Sequence, residues 1–273
     1  MGLALGSVVK LTRDISMPIF GIGTAGAKGD PCVAAVREAL RVGYRLIDTA
    51  SMYGNEREVG IAIRESGIPR DKIFVTTKIA TPEQGARSTP KALQESLRHL
   101  GLDYVDLYLI HWPSRRKRLA TWEAMIPLVD RGMARSIGVS NFMVHHLEEL
   151  RPVDETPAVN QIELSPFLQQ DEVVGYCREH GIQLEAYSPL TRGRRLNDPV
   201  IGRIAAKYGK TPAQVLLRWS LQRGFIAIPK SARPARIREN AEVFDFALAA
   251  SDVRALDGLE KGLHFDWDPS RVP

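Results

Sequence analysis

Residues 73–110 read IFVTTKIATPEQGARSTPKALQESLRHLGLDYVDLYLI, and this stretch decides the fold. Its opening run, 73–78, and its closing run, 104–110, are short, apolar and rich in β-branched or aromatic residues, the pattern of buried strands. Between them, residues 90–100 repeat apolar positions at helical spacing. Thr89-Pro90 offers an N-cap and a first-turn proline, and Gly101 offers the left-handed residue that ends a helix. The whole is one strand–helix–strand unit of a parallel sheet.

The unit repeats along the chain. Strands are expected at 20–23, 44–48, 73–78, 104–110, 134–138, 157–162, 182–187 and 225–228. Helices are expected at 31–41, 56–65, 90–100, 120–130, 144–150, 171–180, a pair at about 198–208 and 212–222, and 235–244. Asp30-Pro31 and Thr211-Pro212 repeat the N-cap signal, and Gly43, Gly67, Gly132 and Gly181 repeat the stop. About eight such units follow one another without a linker. The expected fold class is α/β, a (β/α)8 TIM barrel over residues 1–273 as one domain. The segment 8–18, VVKLTRDISMP, reads as an N-terminal β-hairpin capping the barrel bottom, and the tail 262–273 reads as irregular.

Composition bounds the rest. Of 273 residues, 44% are hydrophobic and 25% charged, which excludes disorder, collagen and coiled coil. No apolar run reaches the ~18 residues of a membrane span, and the N-terminus lacks the basic and apolar regions of a signal peptide. A cytoplasmic location is expected. Cys32 and Cys177 are far apart, match no metal spacing and read as buried apolar residues. The net charge of +5 favours anionic partners only weakly.

In a barrel of this kind the chemistry sits at the carboxyl ends of the strands. Those ends carry Asp48, Lys78, His111, Ser140-Asn141, Asn160-Gln161, Tyr187-Ser188 and Lys230-Ser231. Asp48, Lys78 and His111 bring together an anion, a cation and an imidazole, and Tyr53 follows Asp48 by five residues. This set suits acid–base work on an oxygen. The ammonium of Lys78 is expected to lower the pKa of Tyr53, Asp48 to hold Lys78 charged, and His111 to donate to a substrate oxygen. The bland reading makes Asp48–Lys78 a core ion pair, His111 a packing residue and Tyr53 a surface residue.

These residues lie in motifs that resemble the aldo-keto reductase family. Ile47-Asp48-Thr49-Ala50 through Tyr53-Gly54-Asn55-Glu56 is similar to its first signature, and Leu109-Ile110-His111-Trp112-Pro113 and Ile137-Gly138-Val139-Ser140-Asn141-Phe142 to the second and third. Ile228-Pro229-Lys230-Ser231 with Arg236-Ile237-Arg238-Glu239-Asn240 resembles the last. The likeness runs from about residue 15 to 260 and is strongest to the prokaryotic diketogluconate reductase and methylglyoxal reductase branch.

The resemblance implies a tetrad of Asp48, Tyr53, Lys78 and His111, with Tyr53 as proton donor. It implies NADPH held by Thr24, Asp48, Ser140, Asn141 and Gln161, with Tyr187 stacked on the nicotinamide and Ser188, Pro189 and Leu190 on the pyrophosphate. Lys230, Ser231 and Arg236 would take the 2′-phosphate, and Glu239 and Asn240 the adenine. Tyr53, His111 and Trp112 would line the substrate pocket, and no metal is implied. The expected reaction is reduction of small aldehydes, dicarbonyls or keto sugars by a monomer. Ala25 stands where many members carry tryptophan, and the loop after Trp112 is short, which points to an open pocket. The place of Phe265 and Trp267 relative to that pocket is open.

Three rival readings remain. Gly21-Ile22-Gly23-Thr24-Ala25-Gly26 matches a dinucleotide-binding G-x-G-x-x-G, but the helix expected at Asp30-Pro31 begins too late to place Gly26 in its first turn. A cofactor-sensing binding subunit would keep the same residues with little turnover. A barrel hydrolase or isomerase would need a metal set or paired carboxylates at the strand ends. Two basic clusters, 114–118 (SRRKR) and 192–195 (RGRR), fall on the catalytic rim, where they could attract an anionic substrate or cofactor. No stacking aromatics are interleaved with them, so nucleic acid is not an expected partner.

Overall fold

The computed structural model describes residues 2–12 and 15–273. Eight strands form one sheet in sequential order: β3 (Gly21–Gly23), β4 (Leu46–Asp48), β5 (Phe74–Ile79), β6 (Val105–Ile110), β7 (Ala134–Ser140), β8 (Val159–Glu163), β9 (Gln183–Tyr187) and β10 (Ile226–Ala227). Every pairing is parallel. Bridges Phe20↔Ala227 and Gly23↔Lys230 join the last strand to the first and close the barrel. The expected (β/α)8 architecture is therefore present, and each expected strand falls on an observed one.

Ahead of the barrel, β1 (Val8–Lys10) and β2 (Ser16–Pro18) pair antiparallel. Leu11 and Met17 are buried with Leu46, Phe74 and Leu107 at the strand starts, so the hairpin covers the bottom as expected. Arg13 and Asp14, in the expected hairpin, lie outside the described residues.

The helices are α1 (Gly29–Val42), α2 (Glu56–Glu65), α3 (Thr89–Leu100), α4 (Arg118–Asp130), α5 (Val144–Glu148), α6 (Asp171–Glu179), α7 (Pro199–Tyr208), α8 (Pro212–Gln222), α9 (Pro234–Ala241) and α10 (Ala250–Asp257). Gly43, Gly67, Gly101, Gly132 and Gly181 all have positive φ. Thr211 caps α8, accepting from the Gln214 amide at 3.3 Å. Two other expected caps differ. Asp30 lies inside α1, whose N-cap is Lys28, and Thr89 is the first residue of α3, its hydroxyl donating back to the Gly85 carbonyl. In both, the proline still sits in the first turn, where its missing N–H costs nothing. Helix α10 was not expected: only Leu256 on it is buried, so it carries almost no apolar stripe.

Strand residues alternate between two cores. Ile47, Val75, Tyr108 and Ile110 face the helices. Leu46, Leu107, Leu109 and Val159 fill the barrel itself. By the same alternation Asp48, Thr76, Lys78, Gln161 and Glu185 point inward, above that apolar plug. Gly21 lets β3 pack close against β4: a Cβ there would stand 2.5 Å from Leu46 Cγ. The G-x-G thus belongs to a packed strand, and helix α1 begins three residues after Gly26. This removes the dinucleotide-fingerprint reading.

Both cysteines are free and buried, and burial pushes each thiol up to about 11, so neither is a reactive thiolate. No helix among the described residues is long and apolar enough to cross a membrane.

Candidate active site

The polar layer begins with cross-strand register. Asp48 pairs with Thr76, and Lys78 stands one inward step higher on β5. The Lys78 ammonium therefore reaches back to both carboxylate oxygens of Asp48, at 2.6 and 2.7 Å, and donates its third proton to the Thr49 carbonyl at 2.9 Å. Both side chains are buried. Burial by itself would drive the ammonium towards neutrality, but the Asp48 carboxylate, by its charge and its hydrogen bonds, holds its pKa above the ordinary value. Lys78 is a fixed cation at the centre of the layer.

Tyr53 ends a single 3₁₀ turn, Ser51–Tyr53, that stops at Gly54 with φ 63°. The loop is tied down from both sides. Asn55 donates to the carbonyls of Thr24 and Ala27 and accepts from Thr49, and Ser51 donates to Glu83. Tyr53 comes to rest with its ring centroid 5.1 Å from Lys78 Nζ and 5.4 Å from the His111 ring, edge to face. His111 stacks in turn near Trp112. The four residues Asp48, Tyr53, Lys78 and His111 converge as expected.

One electrostatic expectation is corrected. Burial raises the pKa of Tyr53, and the Lys78 ammonium offsets this only in part. The reason is geometric: Lys78 lies against both oxygens of Asp48, so the phenol meets a nearly neutral pair. Tyr53 holds its proton. His111 is pushed down to about 3 by burial, with Lys78 adding to the effect, so its imidazole is neutral.

Beside this cluster lies a second set. Asn141, held at φ 65°, accepts from the Tyr187 hydroxyl at 2.8 Å and donates to the His111 carbonyl and to Ser140 Oγ. Ser140 donates to the Gln161 carbonyl, and the Gln161 amide donates to Asp48 at 2.8 Å. Ser140, Asn141, Gln161 and Tyr187 thus share one wall. Thr24 is buried against the same edge, its hydroxyl donating to the Asp48 carbonyl.

The loop after β9 carries strain. Ser188, Thr191 and Arg192 all have positive φ, at a cost of order 1–3 kcal/mol each. Arg192 is pinned by an ion pair to Asp266. Beyond β10, Lys230 and Arg236 are exposed and, among the described residues, in no ion pair, with the Ser231 hydroxyl close to both in sequence. Two cations and a hydroxyl suit a phosphate dianion. Glu239 accepts from Thr211, and Asn240 is buried beside it.

The tail folds over the rim. Phe265 is buried, its N–H and that of Asp266 donate to Glu163 at 3.0 and 3.1 Å, and Trp267 packs on Trp112 with ring centroids 5.0 Å apart. The basic cluster at 114–118 divides: residues 115–117 are exposed, whereas Arg118 is buried and donates to Glu149 and the Pro273 carbonyl. Arg118 therefore holds the scaffold and takes no part in a charged rim. Two carboxyls, Glu163 and Glu185, had no role assigned from sequence. Each lies two residues from an inward-facing polar residue (Gln161 and Tyr187), and that parity was the available signal.

Known proteins are similar to this chain over most of its length. The family model described as "Aldo/keto reductase family" matches residues 20–261. The chain is 48% identical over 274 residues to the glyoxal reductase of Bacillus subtilis, covering 100% of this chain and 99% of that protein. The crystal structure of an aldo/keto reductase from Brucella melitensis is 49% identical, with a TM-score of 0.90 over 93% of this chain and 99% of that one. A variant of Gox0644 in complex with NADPH is 40% identical, with a TM-score of 0.93 over 97% and 98% of the two chains.

Proposed function

The chain belongs to the aldo/keto reductase family, and on that premise we propose that it reduces small aldehydes, dicarbonyls or keto sugars to alcohols with NADPH. Tyr53 gives the proton. The observation that carries this reading is the meeting of a protonated phenol, a fixed ammonium and a neutral imidazole at the mouth of one barrel. NADPH supplies the hydride when bound. Ser140, Asn141 and the Gln161 amide oxygen would meet its carboxamide, the Tyr187 ring its nicotinamide, and Ser188, Pro189 and Leu190 its pyrophosphate. Lys230, Ser231 and Arg236 would hold the 2′-phosphate, Glu239 and Asn240 the adenine, and Thr24 the nicotinamide edge.

The roles of the protein's groups follow from their charge states. A carbonyl oxygen that enters between Tyr53 and His111 meets two neutral donors. As negative charge grows on that oxygen, Tyr53 protonates it, and the Lys78 ammonium stabilises the phenolate left behind. Asp48 keeps Lys78 charged and oriented throughout. The likeness to a glyoxal reductase favours dicarbonyls, with Trp112 lining the pocket. We further infer a monomer of one domain, working in the cytoplasm.

Following NADPH absorbance with a panel of carbonyl compounds tests the reading. Turnover of aldehydes or dicarbonyls, with kcat/KM larger for NADPH than for NADH, is the expected result. NADPH binding without turnover of any compound would point instead to a cofactor-sensing subunit. Equal or reversed cofactor preference would contradict the role given to Lys230, Ser231 and Arg236.

A further inference from the structure

One carboxyl in the barrel lies outside this mechanism. Glu185 sits on β9 as the register partner of Gln161 on β8, and it is completely buried. Its Oε2 accepts a hydrogen bond from Gln161 Nε2 at 2.7 Å. Its Oε1 is buried with no hydrogen-bond partner. The other neighbour in register, Ile226 on β10, is apolar. A buried carboxyl with one hydrogen bond is costly, and an aliphatic side chain would pack there without that cost. Its retention needs a reason beyond packing.

The Gln161 amide provides one. A primary amide has two N–H donors on one end and a carbonyl oxygen on the other. Gln161 Nε2 donates to Asp48 Oδ2 at 2.8 Å and to Glu185 Oε2 at 2.7 Å, so both of its protons are engaged. Rotating the amide by 180° would turn its oxygen towards the Asp48 carboxylate, which has no proton to give, and lose that bond. The amide is therefore held with nitrogen down towards the two carboxyls, leaving Oε1 as its free recognition atom.

We propose that Glu185 is a positioning residue for the cofactor site, fixing the Gln161 side chain so that its amide oxygen is presented as an acceptor to a carboxamide N–H₂. The proposal rests on the reading that Gln161 meets the nicotinamide carboxamide. Asp48 alone would leave the amide one bond and freedom to swing, and Glu185 supplies the second point. The charge state fits this role. Burial, reinforced by Asp48 and eased by Gln161 and Lys78, keeps the Glu185 carboxyl protonated near neutrality. The layer of Asp48, Lys78, Glu185, Tyr53 and neutral His111 then carries no excess negative charge beneath the site.

A double-mutant cycle tests this on the full chain, with NADPH affinity read from quenching of tryptophan fluorescence. Glu185→Leu is expected to weaken NADPH about tenfold, the worth of one well-placed hydrogen bond. Glu185→Gln, which can still accept from Gln161, should regain most of that loss. In a Gln161→Ala background Glu185→Leu should cost almost nothing further, because the side chain it positions has gone. Equal losses in the two backgrounds would overturn the proposal, as would unchanged affinity in a folded Glu185→Leu. Should Glu185→Leu fail to fold, Glu185→Ala enters the same cycle and is judged by the same additivity. Failure of the unmutated protein to bind NADPH would instead sink the cofactor reading itself, and the proposal with it.

Discussion

At the scale of residues, Lys78 decides the most. It is a buried cation whose three protons all go to Asp48 and Thr49, so deleting it strands a carboxylate in the barrel. Lys78→Met is expected to lose turnover and to lower stability by roughly 3–5 kcal/mol, read as a drop in the midpoint of thermal or urea unfolding. A fully stable Lys78→Met protein would mean that the Gln161 amide alone, or a proton on the carboxyl, suffices to keep Asp48 buried. His111 gives a second prediction. Its imidazole is held at about 3, so it stays neutral across the range where a free histidine, near 6.5, would titrate. The kcat for reduction should then show no acid limb near 6.5. A limb there that vanishes in His111→Gln would contradict the assignment.

At the scale of elements, the tail and the loop after β9 matter as a pair. Glu163 on β8 accepts two backbone N–H groups from the tail, Asp266 ties the tail to Arg192, and Trp267 covers Trp112. The ring contact of Trp267 is with Trp112 and not with a tetrad residue, so its loss should act on binding. Trp267→Ala is expected to raise KM for the larger carbonyl substrates roughly two- to tenfold, the worth of an aromatic contact, with kcat little changed. A matching fall in kcat would place the tail in the chemistry. This closure was not legible in the sequence. The tail's contacts depend on a strand end about a hundred residues earlier, and no local periodicity encodes them. Helix α10 escaped for a related reason, since its single buried leucine leaves no stripe to read.

At the scale of the whole molecule, legibility follows the source of each signal. The eight strands and their order were readable because each βαβ unit is local and bounded by its own glycine and proline punctuation. Asp48, Lys78 and His111 were readable because strand ends in a barrel share one face. Glu185 was not, because its meaning comes from register with Gln161 on the next strand, and Arg118 looked like a rim charge until the tail covered it. Buried charge also sets the pH response. Glu185 is raised from 4.5 to about 8, so the stability it contributes is fully present below 4.5 and is lost as pH rises through 8. His111 and His146 are lowered to about 3 and 4, so their contribution is complete once pH exceeds 6.5, and Glu163, at about 6, has by then largely ionised. Between pH 6.5 and 8 the melting temperature of the free protein should fall by a few degrees, and Glu185→Gln should flatten the slope. An equal slope in the variant would assign the pH response to another group.

Everything proposed for the reaction turns on Tyr53 as the proton donor. Single-turnover reduction by Tyr53→Phe, measured beside its NADPH affinity, tests it most directly. Carbonyl reduction is expected to fall by several orders of magnitude while NADPH affinity stays within about twofold of the parent, because the phenol hydroxyl gives only the proton. Appreciable turnover by a well-folded Tyr53→Phe protein would contradict it.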